Sequence, residues 1–98
     1  MKKYAKITTL AVAAMLVGSA SQAACYADYK AKKGAPLRLH YGVIELDAAI
    51  CDDRQAMTTE IQTRIGAGNW TLLNVLGAFD ENGLSERKES AGKFYLRF

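Results

Sequence analysis

The first 23 residues constrain the rest of the chain most, because they read as a leader that takes no part in the fold. Lys2, Lys3 and Lys6 form a basic start, and residues 7–17 form an apolar run broken only by Thr8 and Thr9. Small residues follow, with Ser21 and Ala23 placed where a signal peptidase reads small side chains. The apolar run is too short to remain as a transmembrane anchor. Cleavage after Ala23 leaves one domain, residues 24–98, in the bacterial periplasm or outside the cell. Its 75 residues can enclose one small core and no more.

Removing the leader changes the charge balance. The whole chain carries 13 Lys+Arg against 10 Asp+Glu, a net charge of +3. Three of those cations are Lys2, Lys3 and Lys6, so residues 24–98 balance ten against ten. A neutral domain gives no reason to expect nucleic acid, or an anionic membrane once the leader is gone. Lys30, Lys32 and Lys33 remain clustered beside Asp28 and read as a solvated surface run.

Both cysteines, Cys25 and Cys51, lie beyond the leader. An even count in an exported chain points to a disulfide. The 27-residue loop it would close is worth about 3.5 kcal/mol in the chain-entropy account. Two alternatives stand beside it. Cys25 could carry a lipid, although Gln22 occupies the place where a lipoprotein leader has an aliphatic residue. The two thiols could hold a metal with His40, although three such ligands are an incomplete set and badly spaced.

Periodicity predicts the elements. Residues 26–34 are polar and basic, anchored by Tyr26 and Tyr29, and read as one or two helical turns ended by Gly34 and Pro36. Residues 37–46 read as a strand with Leu37, Leu39, Tyr41 and Val43 inward and His40 and Gly42 outward. A bulge near Gly42 would bring Ile44 and Leu46 onto the same face. Residues 52–65 read as a helix, capped by Asp52 with Gln55, whose Met57, Ile61 and Ile65 form a narrow apolar stripe. Gly66 and Gly68 supply its left-handed stop.

Residues 70–79 are apolar on both sides and read as the central strand. A turn at 80–83 and a helical turn over 84–89 follow. Residues 93–98 read as a last strand, with Phe94, Leu96 and Phe98 inward and Lys93, Tyr95 and Arg97 outward. The sum is an α+β domain of two layers, one helix on a three-stranded mixed sheet. Its order in the chain is β-α-β-β behind a short N-terminal segment. The first two strands are parallel and the last two form an antiparallel hairpin.

The stretch Gly66-Ala67-Gly68-Asn69-Trp70 with Leu72 and Val75 resembles a small bacterial β-α-β-β domain family of unknown function. Its pattern is roughly L-x-x-x-G-x-x-G-W-x-L-x-x-V, set between a helix and a strand. This chain departs from it at Asn69, where the family has Gly, and at Gly68, where an acidic residue is common. Asn tolerates the left-handed dihedrals such a turn needs. The resemblance covers about half of residues 24–98 and implies a fold without implying a reaction. Cys25 to Lys30 and Leu37 to Gly42 are similar to uncharacterised exported proteobacterial proteins.

Few residues offer chemistry. His40 is the sole histidine and reads as a structural or surface residue. Asp52 and Asp53 are accounted for by helix capping, and Glu45 with Asp47 by a solvated strand face. Asp80, Glu81 and Asn82 lack calcium-loop spacing. Trp70 reads as core. His40, Tyr41 and Tyr95 are the candidate binding residues, with no cofactor and no metal called for. The chain reads as a small binding module, monomeric or weakly dimeric, for a protein or small-molecule partner. The alternative is a small hydrolase or redox enzyme with a site around His40; a carboxylate pair from distant segments would be Glu45 with Asp80 or Glu81. Intact-mass measurement on exported material should give a protein beginning at or near Ala24; a mass retaining Met1 to Ala23 would contradict the leader.

Overall fold

The structure, a computed structural model, describes residues 24–98, so the predicted leader lies outside the described residues. The elements are β1 (Cys25–Lys33), β2 (Arg38–Leu46), α1 (Arg54–Gly66), β3 (Thr71–Phe79) and α2 (Ser85–Ala91), with short 3-10 turns at 48–50, 81–83 and 92–94. The α+β class and a helix packed on a three-stranded sheet agree with the sequence reading. The order along the chain is different, because residues expected to form helical turns are a strand.

That strand, β1, is the middle of the sheet. The order is β2-β1-β3, and both pairs are antiparallel. Ala27, Tyr29 and Ala31 are wholly buried and alternate with Asp28, Lys30 and Lys32. β2 and β3 therefore run in the same direction, as a helical crossover between them requires. They are not neighbours, however, and no parallel pair forms between them. The expected mixed sheet is corrected on this point.

Turn residues 34–37 join β1 to β2, with Gly34 at φ +43 and a cis bond between Ala35 and Pro36. The ladder pairs Cys25 with Leu46 through to Lys33 with Arg38 without a break. The bulge expected near Gly42 is absent from it. Tyr29 pairs with Gly42, and its ring lies across that glycine so closely that a Cβ there would collide with the ring and hydroxyl. β2 consequently turns His40, Gly42, Ile44 and Leu46 toward the core, the reverse of the phase predicted for residues 37–43. Leu37 and Leu39 are 65% and 64% exposed.

α1 covers one face of the sheet with Met57, Ile61 and Ile65, as its stripe predicts. Its cap is Asp53, one residue later than expected, accepting from the Ala56 amide at 3.0 Å. Its left-handed stop is Asn69, at φ 68, and not Gly66 or Gly68. The disulfide Cys25–Cys51 ties the first residue of the central strand to the approach to α1, with Cα atoms 6.1 Å apart.

The opposite face is half covered, by α2. Arg87 reaches from α2 to Asp28 of β1 at 3.1 Å, and the Tyr41 hydroxyl donates to the same carboxylate at 2.9 Å. The Arg87 guanidinium also sits 4.0 Å over the Phe79 ring. Cover on both faces explains why consecutive residues Val43 and Ile44 are both buried. β3 is an edge strand, not the centre. Its pairing with β1 skips Leu73 and Leu76, and both side chains are largely exposed.

Residues 93–98 form no strand. They cross the outer edge of β2 at one bridge, Val43 with Tyr95, where the Leu96 amide donates to the Val43 carbonyl at 2.8 Å. Leu96, at φ 53, turns outward, while Phe94 and Phe98 pack on the core as predicted. Among the described residues no helix is long and apolar enough to cross a membrane. Gly42→Ala should cost about 1–3 kcal/mol of unfolding free energy, because the Tyr29 ring must leave its place over β2. Denaturant melts that coincide with the parent would show that the ring does not lie there.

Candidate functional site: the open end of the sheet

α2 leaves the hairpin end of the outer sheet face uncovered. Lys30 of β1, Leu39 and Tyr41 of β2, and Leu73 of β3 there line a shallow hollow of about 280 Å³. Leu37, two residues before Leu39 in the turn, is exposed as well. Strand alternation puts Lys32 on the same face as Lys30, and Lys33 with Arg38 on the other. The leucines thus share their face with Lys30 and Lys32, while Lys33 and Arg38 lie on the far side of the hairpin; none of these four cations forms an ion pair among the described residues.

The neutral charge total conceals a segregation. The hairpin, residues 30–38, holds four cations and no carboxylate. Glu45 pairs with Tyr26, Asp47 follows the end of β2, and Asp80 and Glu81 follow the end of β3, all at the Cys25 end of the sheet. The disulfide brings Asp52 and Asp53 to that same end. The strands and their flanking turns therefore carry cations at the hairpin end and carboxylates at the Cys25 end, where the helices add Arg64, beside Glu45, and Arg87, on Asp28.

The three candidate binding residues separate. Tyr41 lies on the outer face, with its hydroxyl committed to Asp28 and, chiefly through burial, its pKa pushed up to about 12. Tyr95 bridges to Val43 at the edge of β2, 5.7 Å from the Lys88 ammonium. His40 points the other way, into the core.

His40 is the centre of an aromatic cluster. Phe94 stacks on the imidazole at 3.6 Å between centroids, and Trp70 meets it edge-on at 4.2 Å. Nε2 lies 3.0 Å from the Tyr29 hydroxyl, whose pKa burial raises to about 12, while Nδ1 is buried without a partner. Burial, with Arg97 and Lys33 adding like charge, lowers the His40 pKa to about 4. Trp70 is 9% exposed and carries the Lys33 ammonium 4.6 Å over its ring.

Glu45 and Glu81 flank Tyr26, whose hydroxyl pKa is raised by desolvation and then by these two carboxylates. Asp80 is occupied locally, accepting from the Asn82 amide at 2.9 Å. No group of three or more His, Cys, Asp and Glu that could hold a metal occurs among the described residues.

A larger groove of about 540 Å³ runs between α1 and β3. Its strand side is already bonded. Arg54 donates to the Val75 carbonyl at 2.7 Å, and the Gln62 side chain bonds both the Trp70 carbonyl and the Leu72 amide. These helix side chains take the place of a further strand and guard the β3 edge against pairing. The open hairpin end has no such occupant.

Sequence reasoning missed the site because it placed Leu37 and Leu39 in the core. The cation run at residues 30–33 and Arg38 was the available signal, once the two segments are seen as one hairpin. Compared with protein-family models, curated proteins and solved structures, the chain finds no match.

The buried imidazole makes stability depend on pH. An unfolded His40 titrates near 6.5 and the folded one near 4. Between these values the unfolded chain binds more protons, so His40 contributes a loss of stability as pH falls from 6.5 toward 4. The full effect is on the order of 3 kcal/mol. His40→Gln, which keeps a partner for Tyr29 but does not titrate, should flatten that part of the profile. An unchanged slope in denaturant melts would place the imidazole in water.

Proposed function

We propose that the chain is an exported, non-catalytic binding module that meets its partner with the hairpin end of the outer sheet face. One observation carries this reading. Leu39 and Leu73 lie exposed on one hollow of the outer face, with Leu37 exposed in the adjoining turn, beside Lys30 and Lys32, which form no ion pair among the described residues. A domain this small gains nothing in stability from leucines held in water. Export is supported by the leader-like first 23 residues and agrees with the disulfide.

The surroundings of His40 support a non-catalytic role. Its imidazole is packed between rings, with Tyr29 on one nitrogen, and both cysteines are joined to each other. A general base needs a nucleophile or a water within reach, and a redox site needs a reactive thiol.

Two results are expected. Leu39→Ser with Leu73→Ser should leave unfolding free energy within about 0.5 kcal/mol of the parent, as surface positions do. Purified protein should turn over none of a panel of ester, phosphate, glycoside and peptide substrates. A turnover that disappears in His40→Ala or Glu45→Gln, with the fold intact, would overturn the binding reading.

A further inference from the structure

We propose that the hairpin end docks on an anionic lipid bilayer, with Leu37 and Leu39 entering the interface and Lys30, Lys32, Lys33 and Arg38 meeting lipid phosphates. The proposal rests on the binding reading above and names its partner. The neutral total charge argues against such a surface, and the distribution of that charge reverses the argument.

Shape, apolarity and charge coincide at this end. The leucines stand on a turn and the adjoining strand ends, a projecting tip, and are nearly two-thirds exposed. A planar interface accepts a projecting apolar tip. The cations surround it on both faces of the hairpin, so their long stems can lie along the acyl boundary while the charged heads reach phosphate oxygens. Six of the ten carboxylates of residues 24–98, namely Glu45, Asp47, Asp52, Asp53, Asp80 and Glu81, lie at the Cys25 end, away from the bilayer.

Charge alone would also suit the carboxylate end of a second copy. That end offers two leucines, Leu96 beside Glu45 and Leu76 toward the end of β3, at 40% and 42% exposed, against Leu37 and Leu39 at 65% and 64% with Leu73 beside them at the hairpin end. Head-to-tail association would leave Leu37, Leu39 and Leu73 largely in water. A bilayer satisfies the leucines and the cations together.

The test is sedimentation with vesicles, using protein purified with its disulfide intact from cells expressing the whole chain. The vesicles are phosphatidylcholine alone, or phosphatidylcholine with about a third phosphatidylglycerol. Binding is expected to the mixed vesicles only, and to weaken steeply between ~50 and ~500 mM salt. Leu39→Ser should weaken it about tenfold. Lys30→Gln and Lys32→Gln should each weaken it about fivefold. Folding of each variant is checked by circular dichroism.

The proposal is overturned if mixed vesicles sediment no protein, or if pure phosphatidylcholine binds equally. It is overturned if millimolar inorganic phosphate displaces the protein completely, since free phosphate would then be the ligand. Self-association lost in Leu39→Ser, without vesicle binding, would assign the leucines to a second copy. Failure with vesicles removes the lipid partner alone, whereas a catalytic turnover removes the binding reading itself.

Discussion

The Tyr29 ring, lying across Gly42 and ending on His40, is the contact from which the rest of the architecture follows. It joins β1 to β2 in a single register, because a one-residue slip would drive the ring into a side chain instead of a glycine. It also decides which way β2 faces. With Tyr29 in the α1 layer, His40, Ile44 and Leu46 must be there too, and Leu39, Tyr41 and Val43 pass to the outer face. His40 then serves as the platform for Phe94 and Trp70, which brings the last residues of the chain onto the core.

The outer face inherits a division from this arrangement. Near the Cys25 end, Val43 and Asp28 need cover, and α2 supplies it through Arg87, which satisfies the buried carboxylate. At the hairpin end the outer face carries Lys30, Lys32 and Leu39, and α2 does not extend there. The outer face therefore has a covered end, around Val43 and the Asp28–Arg87 pair, and an uncovered basic one. The disulfide reinforces the contrast, since it draws Asp52 and Asp53 to the covered end.

The sequence was legible where a residue's own neighbours determine its structure. Met57, Ile61 and Ile65 declared α1, and two cysteines in an export-like chain declared their pairing. Residues 37–46 and 70–79 matched β2 and β3 to within a residue. β1 was missed although Ala27, Tyr29 and Ala31 alternate with Asp28, Lys30 and Lys32. Two of its three inward residues are alanines, small enough to sit beneath α1 but too weakly apolar to announce a core strand. The phase of β2 was misread because a glycine and a histidine hold core positions there. Their burial depends on Tyr29, thirteen and eleven residues away, and no local pattern carries that information. The open site is hidden by the same inversion, since alternation along residues 37–43 alone turns Leu37 and Leu39 inward.

Native-state amide hydrogen exchange tests the central claim most directly, that β1 is the middle strand held by Tyr29. A strand paired on both sides should have slow amides throughout, opening only with the whole domain. The account predicts that the amides of residues 27–31 are among the slowest in the protein, slower than the interior of β3. Fast exchange across residues 27–31, with the slowest amides in β3, would contradict it.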